Sequence, residues 1–216
     1  MTISNKYFIF DFDDTLWGRN SNLLDISIEN LFLLQKLSKM YNVIIISGNS
    51  IDHIKECYLK AGIIPNYDIW ANASGTLFNR FNKVKTLDSF ILPYINIEDI
   101  KRLIPSTVKV TVDESFIKLK PINYLVRAFI CDEINKILLN SCAVAKMTGK
   151  TTIDILTIKN NKLEVLKEYK DGYFIFFGDE VDSGNDSDIA KSCDEVFKCN
   201  DILDTNRRLK ELCCMD

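Results

Sequence analysis

Histidine is almost absent from this sequence, which has only His53, and no two cysteines show the Cys-x-x-Cys spacing. The seven cysteines are odd in number, which argues against a disulfide framework, and their spacing argues against a zinc site. Reduced thiols are typical of proteins in the cytoplasm, so the sequence predicts a cytoplasmic location. The N-terminus has no basic segment followed by an apolar one, so no signal peptide is predicted.

Long apolar runs and an excess of positive charge are absent as well. No apolar run approaches the roughly 20 residues that a helix needs to cross a bilayer, so no membrane partner is expected. The formal net charge is −3 at pH 7, and no broad basic face is implied, so nucleic acid is not expected as a partner. Hydrophobic residues make up 47% of the 216 residues, which is enough for a globular core. We expect a monomer or a homodimer.

The most informative segment is a short apolar run that ends in acids. Tyr7-Phe8-Ile9-Phe10 predicts a buried strand, and Asp11-Phe12-Asp13-Asp14-Thr15 follows it directly. Carboxylates at the carboxyl end of a strand in an open α/β sheet lie where ligands bind. Asp11 and Asp13 project to the same side of an extended backbone, and close like charges need a cation or a proton between them. Taken alone, the segment fits a Mg²⁺ site and a solvated acidic turn equally well.

Two further apolar runs end in residues suited to binding phosphate or metal. The run at 43–46 precedes Ser47 and Gly48, and the run at 173–177 precedes an acidic segment at 178–186. Lys162 lies between them, at the start of a helical segment. Because predicted strands alternate with predicted helices in this part of the chain, we expect an α/β fold with a parallel sheet and right-handed crossovers.

In the order and spacing of these motifs, the chain resembles the haloacid dehalogenase superfamily of phosphotransferases. The resemblance covers residues 5–78 and 152–205, and it rests on Asp11, Asp13, Thr15, Ser47, Lys162, Asp179, Asn185 and Asp186. It implies a Rossmann-like parallel-sheet core and Mg²⁺-dependent chemistry through an aspartyl-phosphate. The form of the last motif is closest to the branch that contains phosphomannomutases, sucrose- and trehalose-phosphate phosphatases and Cof-like proteins.

The region from about 81 to 149 interrupts the alternation and predicts a separate mixed unit. Two alternating strands at 108–112 and 116–120, a helix near 124–139 and two strands near 142–147 and 151–156 are its main predicted elements. An insert with an antiparallel sheet at this place resembles the C2-type cap of the superfamily. The predicted boundaries are 1–80 for the first part of the core, 81–151 for the cap and 152–216 for the second part of the core.

The resemblance implies a catalytic role for three residues. Asp11 is expected to be the nucleophile, and a carboxylate with the ordinary pKa of about 3.9 needs no partner base to be ionised. Asp13 is expected to be the general acid and base, for which partial burial near Asp11 should raise its pKa. Lys162, preferred over Lys159, would neutralise charge on the transferring phosphoryl group.

The same resemblance implies Mg²⁺ as the cofactor, with Asp11, Asp13, Asp179 and Asp186 as its ligands. Asp13 would bind through its backbone carbonyl, and Asn185 would support the site and contact the substrate. The segment 179–186 is longer than the compact Gly-Asp-x-x-Asn-Asp form, which leaves open whether Asp182 or Asp186 is nearer to the metal.

Four residues after the first two strands are expected to contact the substrate phosphate. Ser47 would do so through its hydroxyl group and Thr15 through its hydroxyl or its amide, while Gly48 and Asn49 would use backbone amides at the start of a helix. A serine at the end of a strand is also a common helix N-cap. His53, in the middle of the same predicted helix, is predicted to be a partly exposed helix residue.

Substrate selection is expected to lie in the insert. Lys118, Lys120 and Arg127 could present positive charge to an anionic or sugar substrate, although a solvated strand edge explains them equally well. We therefore predict hydrolysis of a small phosphorylated metabolite, preferably a sugar phosphate. A phosphomannomutase-like phosphosugar mutase and a non-catalytic regulatory or binding protein with the same fold remain alternatives.

Overall fold

The computed structural model describes residues 5–72, 74–90, 92–93, 95–148, 151–182 and 186–214 of the chain. The chain divides into two compact units. The first unit consists of Met1–Lys85 and Asn161–Asp216, and the second consists of Thr86–Asn160. Among the described residues, no helix combines the length and the apolar character needed to span a membrane.

The chain alternates strands and helices over most of its length, with short 3₁₀ turns at Ser21–Leu23 and Asp88–Phe90. The strands are β1 (Lys6–Asp11), β2 (Asn42–Ile46), β3 (Asp68–Ala71), β4 (Thr76–Asn79), β5 (Asn82–Thr86), β6 (Lys109–Val112), β7 (Phe116–Lys120), β8 (Ala143–Thr148), β9 (Thr152–Thr157), β10 (Tyr173–Gly178) and β11 (Glu195–Lys198). The helices are α1 (Leu24–Leu37), α2 (Ile51–Ala61), α3 (Ile97–Leu103), α4 (Tyr124–Ile137), α5 (Leu163–Leu166), α6 (Ser187–Ala190) and α7 (Ile202–Cys213).

The first unit is built on a seven-stranded sheet in the order β11-β10-β1-β2-β3-β4-β5. The strands from β11 to β3 are parallel to their neighbours, and β4 pairs with β3 in the antiparallel sense. Strand β1 lies in the middle, where Phe8 pairs with Val43 on one side and Ile175 on the other. Its residues Ile9 and Phe10 are fully buried, as a continuous apolar strand requires when both faces of the sheet are covered.

Helices α1 and α7 pack against each other in this unit and share a buried polar contact. The side-chain amide of Asn30 donates to the backbone carbonyls of Leu16, at 3.1 Å, and Ile202, at 3.2 Å. Asn206 donates in turn to Oδ1 of Asn30 at 2.9 Å. These hydrogen bonds give the buried side-chain amide of Asn30 partners for both its donor and its acceptor atom.

The second unit is a four-stranded antiparallel sheet in the order β6-β7-β9-β8, with α3 and α4 packed against it. Alternate residues of its strands, such as Ile117 and Leu119, join the hydrophobic core that contains Ile130 and Ile134 of α4. Because successive side chains of a strand point to opposite faces, Lys118 lies on the face turned away from the helices.

The observed division differs from the predicted boundaries at both ends of the insert. The first part of the core continues to Lys85, because β4 and β5, which were not predicted, extend the edge of its sheet. The predicted start of the second core part at residue 152 is wrong. Thr152–Thr157 forms β9, which pairs with β7 and β8, so the second unit continues to Asn160.

Candidate active site

The carboxyl ends of three neighbouring parallel strands carry the candidate site. Strand β1 ends at Asp11, β2 ends one residue before Ser47, and β10 ends one residue before Asp179. Because β1 lies between β2 and β10, these residues meet at the end of the sheet where the parallel strands have their carboxyl ends. This is the place where open α/β sheets bind ligands.

A buried lysine connects two carboxylates at this end of the sheet. The ammonium group of Lys162 forms ion pairs with Oδ1 of Asp11 and with Oδ1 of Asp186. The exposed fraction is 4% for Lys162, 6% for Asp11 and 0% for Asp186. Lys162 comes directly before α5, and burial of Val165 and Leu166 in that helix fixes the start of the segment against the core. One ammonium between two buried carboxylates leaves the group with net negative charge.

The electrostatics of the group reflect this imbalance. Burial raises the pKa of Asp11 well above its usual value, with Lys162 opposing the rise and the carboxylates of Asp186 and Asp13 adding to it. Burial also raises the pKa of Asp179, to about 6, and the neighbouring charge of Asp186 contributes. Burial alone would lower the pKa of Lys162, but Asp11 and Asp186 outweigh it and raise the pKa. The expectation that Asp11 has an ordinary pKa is therefore wrong for the protein alone.

Three carboxylates in this group fit a divalent cation. Asp11, Asp179 and Asp186 each offer an oxygen, and these atoms lie within 4.8 Å of one another. Oδ2 of Asp186 is buried and has no hydrogen-bond partner, which leaves a lone pair for a ligand. Hard carboxylate oxygens are the ligands that Mg²⁺ prefers. A dication would favour the ionised forms that burial and mutual repulsion disfavour.

The exposure of Asp182 and Asp186 shows which of the two acids lies within the buried group. Asp186 is fully buried within the group, whereas the side chain of Asp182 is 70% exposed and forms an ion pair with Lys198. Asp186 is therefore the nearer acid. Asn185, which was predicted to support this site, lies outside the described residues.

Asp13 takes no part in the three-carboxylate group and is held by residues that follow β2. Its Oδ2 accepts hydrogen bonds from the side-chain amide of Asn49 at 2.7 Å and from the hydroxyl of Ser47 at 3.3 Å. Its Oδ1 lies 3.1 Å from Nε2 of His53. Both oxygens of the carboxylate are thus engaged by one short segment of the chain.

These contacts reverse the predicted pKa shift of Asp13. Burial acts to raise the pKa, as predicted from the sequence, but His53 and Asn49 lower it further than burial raises it. The net effect is a lowered pKa, because hydrogen bonds to the ionised carboxylate stabilise that form. The prediction of a raised pKa is therefore wrong.

The phosphate-binding residues predicted after β2 lie at the site in a different arrangement. Helix α2 begins at Ile51, with Ser50 as its N-cap, so Gly48 and Asn49 precede the helix and are not its first amides. The backbone amide of Asn49 donates to Oγ of Ser47 at 3.0 Å. In this arrangement Asn49 and Ser47 orient Asp13 and each other.

The turn after β1 buries Thr15. The amides of Leu16 and Trp17 both donate to the carbonyl of Phe12 at 2.9 Å, which closes the turn. Thr15 is fully buried, and its Oγ1 has no hydrogen-bond partner. Asp14 has a φ of 61°, a left-handed conformation that favours glycine, and its exposed side chain forms an ion pair with Arg19 at 2.9 Å.

The three basic residues predicted to face a substrate do not share one face of the second unit. Lys118 and Lys120 are two residues apart on β7, on the face turned away from the helices. Arg127 belongs to α4, which packs against the other face, so the predicted grouping is wrong. In register beside Lys118 lies Asp154 of β9, which is 8% exposed and accepts a hydrogen bond from Thr148 at 2.8 Å.

His53 is the site residue that the sequence prediction missed. It was predicted as a partly exposed helix residue, and its side chain is indeed 40% exposed. Its ring nevertheless contacts Asp13, because α2 starts at the edge where the strands end. A signal was present in the sequence, since His53 lies one helical turn after Asn49 and follows an N-cap serine.

Solved structures with a similar fold support this description of the core. A haloacid dehalogenase-like hydrolase from Bacteroides thetaiotaomicron matches with a TM-score of 0.68 and 12% identity, over 96% of this chain and 99% of that chain. A trehalose-6-phosphate phosphatase related protein matches with a TM-score of 0.65 and 13% identity, over 96% and 97%. An N-terminally truncated IMP-nucleotidase from Plasmodium falciparum matches with a TM-score of 0.60 and 16% identity, over 99% and 71%.

At these identities the likeness shows the fold. The chain has the haloacid dehalogenase-like fold, and the predicted α/β class with a mostly parallel core sheet is confirmed. No curated protein matches the sequence. The sequence model of peptidase family M54, in contrast, matches residues 72–214, which is more than half of the chain. By the extent of that match, the chain belongs to peptidase family M54.

The assignment to peptidase family M54 disagrees with the chemistry of the matched residues. The only histidine of the chain, His53, lies before residue 72. A His-Glu-x-x-His zinc site and a Ser-His-Asp triad both require histidine, so the matched region can form neither. The match does include Lys162, Asp179 and Asp186 of the buried group.

Proposed function

We propose that the chain is a Mg²⁺-dependent phosphomonoesterase that works through an aspartyl-phosphate on Asp11. One observation carries the proposal, namely the buried contact of Lys162 with Asp11 and Asp186 beside the carboxylate of Asp179. A cationic side chain beside a carboxylate nucleophile stabilises the charge that develops when the nucleophile attacks a phosphate ester. The fold likeness to phosphatases and a nucleotidase agrees with this assignment.

In the first step, a carboxylate oxygen of Asp11 attacks the phosphorus atom and the bond from phosphorus to the ester oxygen breaks. The leaving oxygen takes a proton from Asp13, which must therefore be protonated when the ester binds. Asn49 and His53 favour its ionised form, and the negative charge of the bound ester would oppose them. In the second step, water gives a proton to Asp13 and attacks the phosphorus, which releases inorganic phosphate and restores Asp11. The hydrogen bonds from Asn49 and His53 favour the ionised form of Asp13 that accepts this proton.

The residues that would hold Mg²⁺ are Asp11, Asp179 and Asp186 through their carboxylates, and Asp13 through its backbone carbonyl. When bound, the ion supplies positive charge for the phosphoryl oxygens. The protein contributes the rest, because Lys162 keeps Asp11 and Asp186 in place and excludes water from the buried side of the group.

For the substrate we propose a small phosphorylated metabolite, preferably a sugar phosphate. Lys118 and Asp154 are paired in register on the face of the second unit's sheet that is turned away from its helices, and together they carry a cation and a hydrogen-bond acceptor. Such a pair suits a molecule that carries both a phosphate and hydroxyl groups. We also propose that the second unit is a cap of the C2 type and that it selects the substrate.

The test is release of inorganic phosphate from hexose phosphates, disaccharide phosphates and nucleoside monophosphates, with and without Mg²⁺. Asp11→Asn should lower the rate by about 1,000-fold or more, because it removes the nucleophile. The exposed Asp132 of α4 offers a matched control, and Asp132→Asn should leave the rate unchanged. If no ester is hydrolysed by the unmodified protein with Mg²⁺, the proposal is wrong.

Further assays on the same preparation separate the alternatives. Conversion of hexose 1-phosphate to 6-phosphate with a bisphosphate activator would identify a mutase. No turnover together with no beryllofluoride adduct on Asp11 would identify a binding protein. Cleavage of casein that survives Asp11→Asn would favour the peptidase assignment over the phosphatase.

A further inference from the structure

His53 contacts Asp13, the proposed general acid and base, and contributes little to the packing of the fold. Its Nε2 lies 3.1 Å from Oδ1 of Asp13, and 40% of its side chain is exposed. The ring also meets the edge of the Phe12 ring, with the centroids 6.2 Å apart. A half-exposed ring contributes little to the hydrophobic core, so core packing does not account for its contact with Asp13.

The contact can hold the Asp13 carboxyl group in either protonation state. When Asp13 is ionised, Nε2 of His53 donates to Oδ1, and when Asp13 carries a proton, Oδ1 can donate to Nε2. Asn49 and Ser47 donate to the other oxygen, Oδ2. Contacts to both oxygens restrict rotation of the carboxyl group about its bond to Cβ. Asn49 and Ser47 alone would restrict this rotation less, because they contact only Oδ2.

The three donors are also linked by the local backbone. The Ser50 hydroxyl accepts from the amide of His53 at 3.4 Å, which caps α2. Asn49 and His53 lie on either side of that cap, so the start of α2 sets the spacing between them. Asp13 is therefore held by a segment whose own geometry is fixed by helix capping.

We propose that His53 is a positioning residue, which acts through Asp13 by holding its carboxylate in one orientation for proton transfer. This inference rests on the proposed function, because it assigns Asp13 the role of acid and base. A displacement of about 1 Å in such a group can cost 100-fold in rate. His53 does not contact the reacting atoms in this arrangement, so its effect on the reaction passes through Asp13.

The first experiment is a double-mutant cycle with the sugar phosphate that the unmodified protein hydrolyses fastest, because its alkoxide leaving group needs a proton from Asp13. His53→Leu should lower kcat by about 10- to 100-fold and change KM by less than about twofold. In an Asp13→Ala background the same change should have no further effect, because the residue through which it acts is gone. His53→Gln, whose amide nitrogen replaces Nε2 as a donor, should restore kcat to within about threefold of the unmodified protein.

Three outcomes would overturn the inference. They are an equal loss from His53→Leu in both backgrounds, a loss from His53→Gln as large as that from His53→Leu, and a loss confined to KM. Thermal unfolding of each variant, with Lys60→Ala on the exposed side of α2 as a control, shows whether the fold is retained. A variant that unfolds is replaced in the cycle by His53→Asn, which keeps a donor at a shorter reach and should give an intermediate rate.

The second experiment detects the contact between His53 and Asp13 by NMR and does not depend on enzyme activity. Because His53 is the only histidine, its ring nitrogens give an unambiguous NMR spectrum after ¹⁵N labelling. Asp13→Ala should shift the Nε2 signal, whereas Asp132→Asn should not. An unchanged signal would overturn the inference even in an active enzyme. A shifted signal in a protein that hydrolyses no phosphomonoester would overturn the proposed function and leave the contact in place.

Discussion

Oδ2 of Asp186 occupies the space directly beside Gly178, where a Cβ atom on the glycine would lie 2.6 Å from it. The last residue of β10 therefore has to be glycine for the buried carboxylate to reach Asp11 and Lys162. The end of β10 and the group of three carboxylates are therefore coupled at Gly178.

A methyl group at Gly178 should disrupt the group. We expect Gly178→Ala to destabilise the fold by about 1–3 kcal/mol, because the added carbon must displace the Asp186 carboxylate or the Phe176 ring. It should also weaken Mg²⁺ binding. Urea unfolding and calorimetric titration measure the two effects. Gly62→Ala, with φ of 66° and no atom within 4 Å of the new carbon, should cost only backbone strain and leave metal binding intact.

Stability should depend on pH through Asp179. Burial raises the pKa of Asp179 from 3.8 to about 6, so its protonated form is favoured by folding. Such a group stabilises the fold at low pH, and its contribution is lost as pH rises from about 4 to above 6. We expect the metal-free protein to have a lower Tm at pH 7.5 than Asp179→Asn, which lacks the buried charge.

Magnesium should reverse that order. At pH 7.5, Mg²⁺ should raise the Tm of the unmodified protein, because a ligand that binds only the folded state stabilises it. Asp179→Asn should show a much smaller rise, since one of the three carboxylates is missing. Thermal scans with Mg²⁺ and with EDTA measure both effects, and an equal rise in the two proteins would show that Asp179 is not a ligand.

The left-handed turn at Asp14 makes a separate prediction. Asp14→Gly should leave stability nearly unchanged, because glycine adopts φ of 61° without strain while the exposed ion pair with Arg19 contributes little. Asp14→Ala should be less stable than Asp14→Gly by about 1 kcal/mol, because the Cβ atom of alanine is strained at positive φ and glycine has no Cβ atom. Urea unfolding of the two variants should reveal the difference, and equal stabilities would show that the turn relaxes.

Asn30 should be essential to the joint between α1 and α7. We expect Asn30→Ala to destabilise the fold by about 1–3 kcal/mol, because it removes the buried hydrogen bonds to the carbonyls of Leu16 and Ile202 and leaves the side chain of Asn206 without this acceptor. Asn140→Ala, in an exposed turn after α4, should change stability by less than about 0.5 kcal/mol. Chemical unfolding of both variants provides the comparison.

The parallel core could be predicted because its strands are continuous apolar runs followed by distinctive polar residues. Strands β1, β2 and β10 have this form, and each was predicted within a residue or two. Strands β4 and β5 were missed because they are short and carry polar residues, so no apolar run marks them. The boundary near 152 was misplaced because β9 is buried along its whole length, like a core strand, although it pairs in the antiparallel sheet.

The residues of the site that belong to sequence motifs next to the central strands could be predicted. Asp11, Lys162 and Asp186 meet as expected from the motifs. The surroundings of Asp13 could not be predicted, because they depend on where α2 begins and on which way the ring of His53 turns. Burial alone gave the wrong sign for the Asp13 pKa, since the outcome depends on donors brought in by a separate segment.

Strand β1 lies between β2, which follows it closely, and β10, which comes more than 160 residues later. During synthesis on the ribosome, Asp11 emerges early, while Lys162, Asp179 and Asp186 follow only after the whole second unit has been made. Until then one side of β1 has no strand to pair with. A nascent chain arrested near Asn160 would therefore expose an apolar edge, which makes such fragments prone to aggregation and to capture by chaperones.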